Sequence, residues 1–207
     1  MSVTLIIIIV TAGISLLAWN NASLMDRWIM NPYQVASRGQ YYRLITSGFL
    51  HADWGHLIFN MLTLYFFGGM IEQIFDQLFG ASGPLFLIGF YLIGILVSDI
   101  PSFLKHRNDP GYNSLGASGG VSSILFAAIL FYPLIKISLM FIPIGIPGFI
   151  FGGLYLAYSY YESRRGAGNI NHDAHLYGAL FGIVFMIVVY PPVLPSFIEQ
   201  IGGWRLF

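Results

Sequence analysis

The chain has 207 residues, 57% of them hydrophobic and 9% charged, with a mean hydropathy of +0.73; soluble domains carry about 25% charged residues, so it reads as a polytopic membrane protein. Nine Lys and Arg balance nine Asp and Glu, which leaves no electrostatic case for nucleic acid binding. The absence of cysteine excludes disulfides, thiolate metal sites and a cysteine nucleophile.

The first apolar run, about 4–20, has no basic flank and no small-x-small cleavage site before Asn20, and is expected to be a retained span rather than a signal peptide. Residues 21–53 form a long first loop with Trp28, Tyr33, Tyr41 and Tyr42, aromatics suited to the headgroup zone, so the loop is expected to lie partly in the interface. Further spans are expected at about 54–76, 84–100, 114–132, 134–158 and 172–190. Against the roughly 20 residues a span needs, the fourth and sixth are short. Turn chemistry separates them at "FGASGP" (79–84), "RNDPGYN" (107–113), Pro133, "RRGAGN" (164–169) and Pro191-Pro192. Pro143 and Pro147, with Gly145 and Gly148, are expected to kink or unwind span five, which makes it a candidate side entrance. The polar, glycine-bearing loop 159–171 is a candidate mobile cap. With no large hydrophilic block, residues 1–207 read as a single membrane domain.

Alternating spans put the N-terminal ends of spans two, four and six on one side. Asp53 is the expected N-cap of span two, Asn113 or Ser114 of span four, and Asn171 of span six. His56, Asn60, Ser118 and His175 then lie within about 10 Å of the same face, and the i,i+4 spacing puts His56 and Asn60 on one side of their helix. Each alone has a plainer explanation: an intramembrane Asn or His serves as interhelical glue, and Gly116 with Gly120 makes a small-xxx-small packing face. Jointly, polar groups gathered at one depth point to function.

A serine hydroxyl attacks only when a base takes its proton, and the imidazole of His175 titrates in the required range. Acyl transfer also needs donors for the developing oxyanion; the Asn60 amide, the His56 ring and the backbone N–H of Ser118 at a helix start can provide them. Small residues around Ser118 let hydroxyl and imidazole meet. Metal readings fare worse. His51 and His56 straddle a helix start, no H-E-x-x-H occurs, and His172, Asp173 and His175 make a thin ligand set, so no metal or other cofactor is expected.

Three motifs in order, "GQYYRLITSGFLHADWGHLIFNMLTLYFFGGMIEQIFD" (Gly39–Asp76), "GASG" (116–119) and "HDAHLYGALFG" (172–182), are similar to those of the rhomboid intramembrane serine proteases, over about residues 28–190. The resemblance implies an all-α membrane protein: a six-transmembrane-helix rhomboid-like bundle with an interfacial first loop. It implies a Ser118–His175 dyad without an acidic third member, with His56, Asn60 and Ser118 stabilising the oxyanion. Gly178 and Gly182 are then expected to pack spans six and four tightly. Arg43 braces the first loop, and Glu72 ties the far end of span two, about 24 Å along the helix from His56. Two departures stand out. Tyr42 occupies a place where the family commonly has Trp before the arginine. Ser122 stands four residues after the serine, where members often have an aromatic stacked on the base; it cannot stack, and is expected to hydrogen-bond or admit water. Asp173 is expected to be a solvated loop acid.

The implied activity is endoproteolysis in or near the transmembrane segments of membrane protein substrates, with membrane lipid as a further partner. The implied location is a bacterial inner membrane, with the site opening to the extracytoplasmic side. The cation count points the other way: Arg27, Arg38, Arg43, Lys105, Arg107, Arg164 and Arg165 fall on the site's face, against Lys136 and Arg205 opposite, and positive charge favours the cytoplasm. The family orientation is kept because charges in a structured loop serve packing. A catalytically inactive relative that binds membrane clients would lack the serine or the histidine. A small transporter would carry polar residues through the full bilayer depth.

Overall fold

Small residues decide how these helices meet. The computed structural model describes residues 2–138, 145–165 and 170–205. In chain order it contains α1 (Val3–Trp19), α2 (Ala22–Trp28), α3 (Pro32–Arg38), α4 (Arg43–Thr46), α5 (Trp54–Thr63), a π turn (Leu64–Gly68), α6 (Gly69–Phe79), α7 (Gly83–His106), α8 (Ser118–Phe131), strands β1 (Lys136–Ile137) and β2 (Ile146–Pro147), α9 (Gly148–Arg165), α10 (His172–Val189) and α11 (Val193–Gly202).

The centre is α8, whose side chains from Gly119 to Leu130 are all buried. A methyl group on Gly178 of α10 would run into the Gly119 carbonyl, and one on Gly182 into the Ser123 carbonyl. Both pairs advance four residues in the same direction, so α8 and α10 lie parallel, backbone against backbone. The Ser123 hydroxyl reinforces the seam, its single proton shared between the carbonyls of Gly119 and Gly178, each 2.9 Å away. On the other side α7 runs antiparallel: Gly94 faces Ser123, while a Cβ on Gly119, four residues earlier in α8, would run into Ser98, four residues later in α7. The tight packing expected of Gly178 and Gly182 is therefore present, and its cause is the small-residue approach that lets helices associate without a hydrophobic driving force.

Apolar side chains face outward as well as inward. Leu17, Phe66, Leu85, Val184 and Val188 are all more than 55% exposed, whereas Thr4, Thr11, Ser15, Ser98, Ser102 and Ser123 are buried. Apolar residues facing outward, with small polar residues set among the apolar side chains of the interior, suit a lipid solvent. Two helical stretches among the described residues are long and apolar enough to cross a membrane, Trp54–His106 and His172–Val189. The first folds back on itself at Gly80 (φ 56), since Phe79 stacks on Phe86 and Phe75 packs on Phe90. The 17 residues of α1 and 14 of α8 are shorter apolar helices.

Several boundaries differ from expectation. Span four begins at Ser118, with Ala117 at the cap position and no side-chain cap, not at Asn113 or Ser114. Ser114 is instead bridged to Met30, and Gly116 at φ 129 turns the chain into the helix, a conformation glycine reaches without steric cost. Span five is not a kinked helix over 134–158: the chain first makes the β1–β2 pair, Lys136 opposite Pro147, so the fold is not purely helical, and α9 then runs to Arg165. Pro147 ends a strand; Pro143 lies outside the described residues. Of the expected cap at 159–171, residues 159–165 continue α9, and 166–169 lie outside the described residues. The first loop contains α2, α3 and α4. Beyond the last expected span, α11 reaches back through Gln200, whose amide donates to the Phe131 carbonyl at 3.3 Å, where α8 ends.

Two of the family-implied braces are in place. Arg43, only 3% exposed, donates to the carbonyls of Asp26 and Ile29 and to the side chains of Gln40 and Gln34, so its charge serves packing of the first loop. Glu72 accepts from the Ser2 hydroxyl at 2.6 Å and the backbone N–H groups of Val3 and Thr4 at 2.7 and 3.0 Å. The carboxylate thus caps the N-terminus of α1, where unpaired N–H groups and the helix dipole favour an anion. Glu72→Gln is expected to lower stability by about 1 kcal/mol, the typical worth of a cap, read as a lower thermal midpoint in detergent.

Candidate active site

Helix starts carry the site. Asp53 accepts from the His56 N–H at 2.8 Å and opens α5. Asn171 accepts from the Ala174 N–H at 3.1 Å and opens α10, while the Ser102 hydroxyl of α7 holds that same amide oxygen at 3.0 Å. Both caps are those the sequence pointed to. His56 and His175 consequently sit in the first turns of their helices.

Ser118 is the first residue of α8. Since the first intrahelical bond of α8 runs from the Val121 N–H to the Ala117 carbonyl, the N–H groups of Ser118, Gly119 and Gly120 belong to the orphan donors of a helix start. The Gly119–Gly178 contact fixes the level of Ser118 against α10: Ser118 precedes Gly119, and His175 lies one turn before Gly178. His56 closes the third side, for a Cβ on Gly116 would lie 2.7 Å from its Nε2 and Cε1 atoms. Serine, both histidines and the helix-start amides are thereby gathered at one end of the bundle. Asn60 is buried, 4% exposed, and one of its two amide protons is engaged by the His56 carbonyl at 2.9 Å, leaving the second for another acceptor.

Residues that sequence reasoning gave no site role support these groups. His51, fully buried, packs edge-on to His56 with centroids 4.8 Å apart. Its Nδ1 lies 2.9 Å from the Ser15 hydroxyl, and its carbonyl accepts from the Trp19 indole at 2.7 Å. Burial pushes the His51 imidazole down to about 3, so it is neutral beside His56. Because its folded pKa lies below the unfolded value near 6.5, its contribution to stability is complete above pH 6.5 and is lost as pH falls from there toward 3. The fall in thermal midpoint between pH 7 and pH 4 is therefore expected to be smaller in His51→Gln than in the wild type.

Tyr155 of α9 was also missed. Its ring lies parallel to that of His175, at 6.0 Å and 15°, and its hydroxyl is 2.8 Å from the Ser122 hydroxyl. The hydrogen bond expected of Ser122 is present; the partner was not legible, because nothing in local spacing relates 155 to 122 or 175. Asp173 is not a solvated loop acid. It lies in the first turn of α10, 15% exposed in its side chain, 3.5 Å from Lys105 Nζ and hydrogen-bonded by the Ser163 hydroxyl. Among the described residues no three His, Asp or Glu side chains gather as a metal site.

Comparison with known proteins extends this picture. The family model described as Rhomboid domain matches residues 38–192. RHOMBOID-like protein 12, mitochondrial, of Arabidopsis thaliana is 31% identical over 194 residues, covering 86% of this chain and 55% of that protein. Rhomboid-related protein 1 of Caenorhabditis elegans is 28% identical, covering 79% and 44%, and Rhomboid protease GluP of Bacillus subtilis 29%, covering 70% and 25%. The chain thus spans about half the length, or less, of these relatives. A domain match that takes in all three motifs, on helices whose starts meet at one end of the bundle, makes this chain an integral membrane protein of the rhomboid family.

Proposed function

We propose that the protein is an intramembrane serine endopeptidase: a six-span bundle formed by α1, α5–α6, α7, α8, α9 and α10 that hydrolyses peptide bonds in or near the transmembrane segments of other membrane proteins. The observation that carries the reading is the position of Ser118 in the first turn of α8, level with His175 in the first turn of the parallel α10 and with His56 against Gly116.

In this reading His175 takes the Ser118 hydroxyl proton as Oγ attacks the scissile carbonyl. The oxyanion is received by the Ser118 N–H, the free Asn60 proton and the His56 ring, donors fixed before the charge develops. His175 then gives its proton to the leaving amine. Water, deprotonated by the same imidazole, splits the acyl-enzyme and restores the hydroxyl. A helical substrate shields its carbonyls by hydrogen bonding, so segments with helix-weakening small residues near the cut are preferred. The site opens to the extracytoplasmic side of a bacterial inner membrane. Of the seven basic residues on that face, Arg43 does not argue against this, since it is buried and spent on bracing the first loop.

The test uses the purified full chain in liposomes with a transmembrane model substrate and a fluorophosphonate probe. Cleavage and labelling by the wild type, both lost in Ser118→Ala, support the reading; cleavage that persists in Ser118→Ala rejects it.

A further inference from the structure

We propose that Tyr155 of α9 is the positioning residue for the base histidine; the proposal rests on the dyad reading above. A catalytic imidazole must be held at a defined ring angle, yet rotation about its terminal torsion is broad and weakly restrained. In triads a carboxylate supplies that restraint. Here the carboxylate nearest in sequence, Asp173, is committed to Ser163 and Lys105. The residue one turn beyond Ser118 is Ser122, which has no ring to offer.

Tyr155 fills the vacancy from a different helix. Its ring lies parallel to that of His175 at 6.0 Å, an offset arrangement of the kind aromatic pairs prefer. The tyrosine ring is itself confined: Phe126 of α8 and Phe151 of α9 flank it at 5.4 and 6.0 Å. Its hydroxyl is tied to Ser122, 2.8 Å away. The imidazole also meets His172 edge-on at 5.8 Å, and His172 in turn meets Tyr158 at 5.5 Å. The restraint is therefore divided between two helices, with α8 contributing an anchoring hydroxyl and α9 the ring. Alignment of the base follows the seating of α9 against α8 and α10.

The experiment measures kcat and KM of the full chain on a transmembrane model substrate for the wild type, Tyr155→Phe, Tyr155→Leu and Tyr155→Met, with Ser118→Ala and His175→Ala as controls. Tyr155→Leu is expected to lose about 10- to 100-fold in kcat per folded molecule, the scale of a small misplacement of a catalytic group. KM should stay within about twofold, since no substrate contact is removed. Tyr155→Phe, which keeps the ring, is expected to recover kcat to within about threefold of the wild type. Should Tyr155→Leu fail to fold, Tyr155→Met, flexible enough to fill the same volume, takes its place with the same expected loss. Wild-type kcat in the Leu or Met variant overturns the proposal, as does a Phe variant as impaired as Leu. Inert controls beside a fully active Leu variant remove only the positioning role. Controls that cleave like the wild type remove the dyad and the positioning role together.

Discussion

Ser118→Ala and His175→Ala are each expected to reduce cleavage of a transmembrane substrate by at least about 1,000-fold, because loss of the nucleophile or the base in a serine hydrolase costs up to about a millionfold in kcat. The two losses should not add: hydroxyl and imidazole act as one unit, so the double variant is expected to be no worse than either single one. The geometry gives the reason. Ser118 stands at the first residue of α8, beside unpaired backbone donors, while His175 is held level with it by the Gly119–Gly178 contact. Removing either side chain leaves both helix starts and the caps at Asp53 and Asn171 in place, so the variants should fold and still bind substrate. Initial rates in liposomes at matched protein density measure the effect, with thermal midpoints as the control for folding. Product formed at the wild-type rate by either variant would remove the dyad.

The second large effect is on the fold. Gly178→Ala places a methyl group on the Gly119 carbonyl, and Gly182→Ala places one on the Ser123 carbonyl. The obstacle in both cases is backbone, which has no rotamer to give. Each substitution is therefore expected to cost about 1–3 kcal/mol or more, the range for overpacking a filled core. Gly153 of α9 is the internal control, since a Cβ there meets nothing within 4 Å. Its replacement by Ala is expected to be neutral or stabilising by up to about 1 kcal/mol, the helix-propensity difference. Thermal unfolding in one detergent compares the three. Equal midpoints for Gly178→Ala and Gly153→Ala would mean that α8 and α10 do not meet through their backbones. The loss at Gly178 should also reach catalysis, because the same contact sets the level of Ser118 against His175.

Much of this site was legible in one dimension because its groups lie at helix starts, and helix starts are written locally. Asp53 three residues before His56, and Asn171 three before Ala174, are spacings fixed by the geometry of a cap. Ser118 was legible for a related reason: a polar residue among glycines in an apolar chain has few plain explanations. The start of α8 was misjudged because the polar residues Asn113 and Ser114 resemble caps, yet the chain there is pinned by the Met30–Ser114 bridge and a bond from the Gly116 N–H to the Ser47 carbonyl. Those partners lie in the first loop, more than sixty residues away. The β1–β2 pair was missed likewise, since two prolines in an apolar run read as a kink until the strands are seen to pair.

Sequence by itself determined the lipid setting, the family, the polar residues at three helix starts and the small residues between them, all properties that neighbours along the chain define. Tertiary structure alone decided that Glu72 caps α1, that His51 backs His56, that Asp173 is tied to Lys105 and Ser163, and that the ring against His175 comes from Tyr155. The physical reason is common to all four. Each is a contact between separate elements of the fold, and the way parallel and antiparallel helices are rotated against one another is set by backbone approach at glycines, not by any periodicity a single segment carries.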